Sequence, residues 1–269
     1  METRMIRQIE PKKTTTRRDL LRMTGAAAAA GGAAQVFGTD AFAQTAVGKT
    51  KAVGFDAFTI FNPLSVDAVI DEIFPGKGTQ LASAWRTRIF EYCWLRTLNH
   101  TYVDFWHILD DALVFAFKAA KIELKPDARD KFMDAFLRVK PWPEAVEALK
   151  SMRQAGIRLA YVSNLTPKML TEMSQSAGIL DLFEHILSTD RVKAYKPDPR
   201  AYQMAEVVFN LPRESIVFAA FGGWDAAGAK SFGLNTFWVN HVNAPIEELG
   251  VRPDAIGTTL TELARYVTA

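Results

Sequence analysis

Four short stretches carry residue types able to do chemistry together. Asp56 closes the apolar run Ala52-Val53-Gly54-Phe55 and is followed by Ala57-Phe58-Thr59. A carboxylate with apolar neighbours on both sides loses hydration and needs a compensating partner. Ser163-Asn164 follow a second apolar run. Lys196 stands in Tyr195-Lys196-Pro197-Asp198, and Asp225 in Trp224-Asp225-Ala226-Ala227-Gly228-Ala229. Each has an ordinary reading when taken alone. Asp56 caps a turn, Ser163 or Asn164 caps a helix, Lys196 is a solvated surface residue, and Asp225 sits in a helix's first turn, favoured by the dipole. Taken together they are an acid, a hydroxyl–amide pair, a lysine and a second acid, each just after a predicted strand. Open α/β sheets bind their ligands at that edge.

The elements that must position them follow from the hydrophobic pattern. Ala52 to Phe55 reads as a buried strand. From Ser65 to Phe136 apolar residues recur at helical spacing with no convincing strand, broken only at Phe74-Pro75-Gly76-Lys77-Gly78. From Pro143 onward strands and helices alternate. Strands are expected over Arg158–Val162, His185–Leu187, Ile216–Ala219 and Thr236–Val239. The helices between them stop at Gly156 and Gly178, natural C-terminal signals. Such alternation predicts an α/β fold with a doubly wound parallel sheet. The core is expected over 44–61 and 143–269, with an inserted helical cap over 64–140.

Composition is that of an ordinary globular chain: 269 residues, 49% apolar and 23% charged. A single cysteine, Cys93, rules out an intrachain disulfide and reads as a small buried hydrophobe. His100, His107, His185 and His241 show no paired metal-ligand spacing. The first 43 residues are expected to lie outside the fold. Arg17-Arg18-Asp19-Leu20-Leu21 precedes an Ala/Gly tract and Ala41-Phe42-Ala43, a pattern similar to a bacterial twin-arginine export signal cleaved near Ala43. The expected location is the periplasm, with the twin-arginine export machinery as a partner. Its removal takes seven of the 32 basic and four of the 30 acidic residues, leaving 25 against 26. The basic excess therefore belongs to the leader and gives no support for nucleic-acid binding.

The order of the four stretches resembles the haloacid dehalogenase superfamily, and within it the type II L-2-haloacid dehalogenases. Ile73-Phe74-Pro75-Gly76, Trp85-Arg86, Leu95-Arg96 and Tyr102-Val103 resemble the same family's helical insert. The resemblance implies hydrolytic dehalogenation of small 2-haloalkanoic acids to 2-hydroxy acids. Asp56 would attack C2 and form an aspartyl ester that water then cleaves. It implies that Lys196 keeps Asp56 ionised, that Ser163 bonds Asp56 or the substrate carboxylate, and that Asp225 holds Lys196 and the hydrolytic water. Arg86 and Asn164 would receive the halide, with Phe58, Thr59, Tyr202 and Trp224 at further substrate-binding positions. It is compatible with a homodimer, and it implies no cofactor and no metal. Phosphatase members carry a second aspartate where Phe58 stands, and two placed carboxylates serve a hard divalent cation poorly.

Two positions depart from the family pattern. A glycine is missing between Phe58 and Thr59. Ala220 and Gly222 replace the serine and asparagine usual five and three residues before Asp225. The second departure is expected to weaken ester hydrolysis. It also leaves two other readings in play: a phosphatase-like hydrolase, and a non-catalytic secreted domain that binds a small carboxylate.

Overall fold

The computed structural model describes residues 50–269. The expected leader over residues 1–43 lies outside them. Six parallel strands form one sheet: Ala52–Phe55 (β1), Arg158–Ser163 (β2), His185–Ser188 (β3), Ile216–Ala220 (β4), Asn235–Val239 (β5) and Ala255–Gly257 (β6). Their spatial order is β3-β2-β1-β4-β5-β6, so β1 lies in the middle. The strand order reverses beside β1, which places the crevice of a doubly wound sheet at its carboxyl end. β1 is buried along its whole length, as a strand covered on both faces must be. Phe55 registers with Tyr161 of β2 and Ala219 of β4. The ladder continues one residue further, Asp56 N–H donating to Ala219 O at 2.9 Å.

Four helices are inserted between β1 and the rest of the sheet: Ser65–Ile73 (α1), Gly78–Leu98 (α2), Phe105–Ala119 (α3) and Pro126–Leu137 (α4). Trp85 is their anchor. It is fully buried, its Nε1 donates to Leu109 O at 2.7 Å, and its ring meets Phe136 edge-on at 4.8 Å. Gly78 starts α2 against α1: a Cβ there would sit 2.6 Å from Asp67 O, so no larger residue fits without displacing backbone. The two chain crossings that tie the insert to the sheet lie side by side. Phe61 bridges Pro141, and Asn62 N–H donates to Lys140 O at 2.9 Å.

The remaining helices follow the expected alternation: Ala145–Gln154 (α5), Pro167–Ser176 (α6), Pro199–Phe209 (α7), Gly223–Phe232 (α8) and Leu260–Thr268 (α9). Sequence reading missed β6 and α9. β6 is only three residues long, ends in glycine and leaves Ile256 46% exposed, so it has no periodicity to detect. α9 did carry a signal. Thr259 and Glu262 form a capping box at its start.

Gly228 shows how closely α8 approaches the loop after β3. A Cβ at that position would lie 2.6 Å from both Pro197 Cβ, next to Lys196, and Tyr202 Oη on α7. Gly228→Ala is therefore expected to destabilise the fold by roughly 1–3 kcal/mol through overpacking, despite its better helix propensity. Denaturant unfolding measures this; a more stable variant would show that the loop yields freely.

Candidate active site

Asp56 ends β1 with its backbone still extended, and a single 3-10 turn, Ala57–Thr59, follows. Its carboxylate makes no capping bond to that turn, so the ordinary reading of a turn cap does not hold. Instead Lys196 Nζ donates to Asp56 Oδ1 at 3.1 Å and to Asp225 Oδ2 at 2.6 Å. The lysine is 1% exposed, Asp225 1% and Asp56 8%, so three charged groups share one buried site. The sequence separations are 140 residues to Asp56 and 29 to Asp225. Lys196 is therefore no solvated surface residue.

The electrostatics follow from this packing. Burial would push the Lys196 ammonium down, but the charges of Asp225 and Asp56 outweigh it and hold the group above its ordinary value. It stays protonated. Asp225 is raised as well, toward its neutral form. Burial raises it, to about 6; Lys196 pulls against that, and the like charge of Asp56 adds to it. Lys196 Nζ also lies 5.1 Å over the Phe218 ring, which offers the ammonium a negative face without a proton acceptor.

Other predicted residues meet the site in ways that sequence alone did not specify. Asn164 is 4% exposed, and its Oδ1 accepts from Lys196 N–H at 3.0 Å. Its Nδ2 is buried with no hydrogen-bond partner among the described residues. Neither Ser163 nor Asn164 is the helix cap; Thr166 caps α6. Ser163 Oγ accepts from Leu165 N–H at 3.2 Å in a tight local turn, a bond that leaves its own hydroxyl proton to donate.

Thr59 and Tyr202 both turn their hydroxyls to protein partners. Thr59 donates to the backbone carbonyl of Asp56 at 2.6 Å. Tyr202 is fully buried and donates to Asp225 Oδ1 at 2.7 Å, which orients that carboxylate. Trp224 faces the insert, packing on Phe90 at 5.1 Å and Trp94 at 5.5 Å.

A small chamber of about 30 Å³ lies between insert and sheet, lined by Phe58, Phe90, Phe105, Phe136, Phe221 and Arg86 among others. Phe58 is two residues past Asp56, and Phe221 follows β4. Arg86 brings the chamber's one charge, and it is already tied to Asp67 by paired contacts from both terminal guanidinium nitrogens. Two larger hollows, about 460 and 520 Å³, are lined by other residues and hold none of the Asp56, Lys196 and Asp225 cluster.

Ala220 and Gly222 differ in what they would accept. Ala220 is the last residue of β4, fully buried. Gly222 has an ordinary backbone, φ −82°, yet a Cβ there would meet Trp224 Nε1 at 2.7 Å. The indole occupies the space a side chain would need. Sequence reading missed three residues near the site. Asp67 pairs with Arg86, while Trp142 and His241 bond the carbonyls of the turn after Asp56 at 3.0 Å each. None has a local pattern that points to this. Their partners lie 19, 84 and 182 residues away.

The comparisons agree with this architecture. The haloacid dehalogenase-like hydrolase family matches residues 22–233. The (S)-2-haloacid dehalogenase of Pseudomonas sp. (strain YL) is 38% identical over 211 residues, 78% of this chain and 91% of that one. Among solved structures, an L-2-haloacid dehalogenase superposes with a TM-score of 0.80 at 38% identity, covering 82% of this chain and all of the other. A second, the L-2-haloacid dehalogenase from Xanthobacter autotrophicus with chloropropionic acid covalently bound, gives 0.75 at 29% identity, over 81% and 98% of the two chains. With its sheet order, its inserted helices and its buried Asp–Lys–Asp cluster, the chain belongs to the haloacid dehalogenase-like hydrolases.

Proposed function

We propose that this protein hydrolyses the carbon–halogen bond of small 2-haloalkanoic acids through an ester on Asp56. The observation that carries the reading is the single ammonium of Lys196 held between two buried carboxylates. A carboxylate beside a fixed cation stays ionised and aimed, ready to act as a nucleophile. Asp56 attacks C2. The new C–O bond forms as the C–halogen bond breaks, and the halide leaves with its electron pair. Arg86 and the unpartnered Nδ2 of Asn164 are the donors proposed to receive it. Water then adds at Asp56 Cγ, one of its protons passing to Asp225; the ester bond from Cγ to the product oxygen breaks, that oxygen takes the second water proton, and the 2-hydroxy acid leaves as Asp56 is regenerated as a carboxylate. The proton on Asp225 goes to solvent.

The donor set also speaks to metal chemistry. Lys196 Nζ occupies the place between the two carboxylates where a divalent cation would have to bind, and Phe58 and Phe221 add apolar walls. We therefore favour dehalogenation over phosphatase-like chemistry.

The second half of the reaction is the slower one on this reading. Ala220 and Gly222 offer only backbone groups to a water at Asp56, and loss of one placed donor costs about 10²–10³ in rate elsewhere. Mixing with a reactive 2-haloacid is expected to give a burst of halide and a mass adduct on Asp56 that clears slowly. Asp56→Asn is expected to abolish both. Ala220→Ser is expected to speed the slow phase. Gly222→Asn is not, because Trp224 blocks its Cβ. The slow phase also weakens as the pH falls, where Asp225, raised by burial, takes up a proton that blocks its role as base. Steady turnover with neither burst nor adduct would remove the slow-hydrolysis reading. Neither halide nor adduct with any haloacid would favour a carboxylate-binding domain.

We further propose export by the twin-arginine route to the periplasm, supported by Arg17-Arg18 and the following Ala tract. Replacing both arginines with lysine keeps the charge and is expected to hold the precursor in the cytoplasm, as cell fractionation would show. Unchanged export of the double variant would count against it.

A further inference from the structure

The turn that carries Asp56 has five successive carbonyls, and every one has a partner. Asp56 O accepts from Thr59 N–H at 3.1 Å and from its hydroxyl at 2.6 Å. Ala57 O accepts from Ile60 and Phe61 N–H, both at 3.0 Å. The next three are served from outside the turn. Trp142 Nε1 donates to Phe58 O at 3.0 Å, His241 Nε2 to Thr59 O at 3.0 Å, and Trp142 N–H to Ile60 O at 2.8 Å. A carbonyl only accepts, so His241 must carry its proton on Nε2.

The two outside donors are built into one unit. The Trp142 and His241 rings stack, centroids 4.1 Å apart and planes within 15°. Trp142 lies on the returning crossing from the insert. His241 follows β5 in a loop fixed by Asn240, whose amide both donates to Ala244 O at 2.9 Å and accepts from Ala244 N–H at 2.8 Å. Glu144 completes the surroundings, its Oε1 3.8 Å from His241 Nδ1. The turn is thus gripped by a crossing from the cap and by the loop after β5, two strands away from β1.

We infer that Trp142 and His241 are positioning residues, a stacked clamp that holds the Asp56–Ile60 turn and so aims the Asp56 carboxylate. This rests on Asp56 being the nucleophile proposed above. Neither residue touches the reacting atoms. Each supplies a donor to a carbonyl two to four residues beyond the carboxylate, where a small shift of the turn displaces the attacking oxygen.

Three variants test it. Trp142→Phe keeps the stacked ring and loses the side-chain donor. His241→Leu loses the donor, and His241→Gln retains an N–H at similar reach. The halide-burst rate is expected to fall roughly ten- to a hundredfold in Trp142→Phe and His241→Leu, the size associated with misplacing a reacting group. His241→Gln is expected to recover most of that loss. Amide hydrogen exchange read in parallel does not need turnover. It should rise over residues 56–62 in the two disruptive variants and stay at the wild-type level across β2, β3 and β5. Exchange at 56–62 that does not change, or that rises throughout the sheet, would overturn the clamp. So would a loss of burst rate that glutamine does not rescue. If the wild-type protein releases no halide, the proposed function fails while the exchange arm still decides the clamp.

Discussion

One ammonium between two carboxylates is the constraint on which the rest of this structure depends. Three charges at 8% exposure or less cannot be left unpaired, because stripping water from each costs several kcal/mol. Lys196 offsets that for both acids at once, and Tyr202 takes the outer oxygen of Asp225. The arrangement works only if three chain segments end at the same point: β1, the loop after β3 and the start of α8. A doubly wound sheet with β1 in its middle supplies that convergence. Gly228 matters for the same reason, since α8 must come within contact of the Lys196 loop for Asp225 to reach it.

The apolar surroundings set the strength of this cluster. Phe58, Phe221, Phe136 and Trp85 form a continuous edge-to-face series that runs from the turn after Asp56 into the insert. Water excluded by these rings cannot screen the charges beside them, so both attraction and like-charge repulsion are felt more strongly. The raised Asp225 is one consequence. Arg86 enters this apolar chamber with Asp67 as a companion, which holds the guanidinium in place and reduces the net positive charge it presents.

Two departures from the family pattern look alike in sequence and differ in space. Thr59, directly after Phe58, donates to the carbonyl of Asp56, so that carbonyl is satisfied from within the turn. The loss at Gly222 is bound up with Trp224, whose indole fills the volume beside it and packs against Phe90 and Trp94 of the insert. Ala220 is a plain deletion of a hydroxyl at the end of a buried strand.

Most of the fold was legible in the sequence because it rests on short-range signals. The buried run before Asp56, the strand–helix alternation after Pro143 and the helix-stopping glycines each act within a few residues. The acid, lysine and acid were legible as candidates through their placement after predicted strands. What they do to one another was not. Whether Asp56 caps its own turn or meets Lys196 is decided by convergence across 140 residues. Ser163, Thr59 and Tyr202 hold hydroxyls whose direction depends on rotamer and backbone, and each turned toward a partner that the sequence does not name. Trp142 and His241 reach the turn after Asp56 across 84 and 182 residues. Propensity and periodicity are properties of neighbours along the chain. Hydrogen bonds and ion pairs are properties of neighbours in space, and only the folded structure selects them.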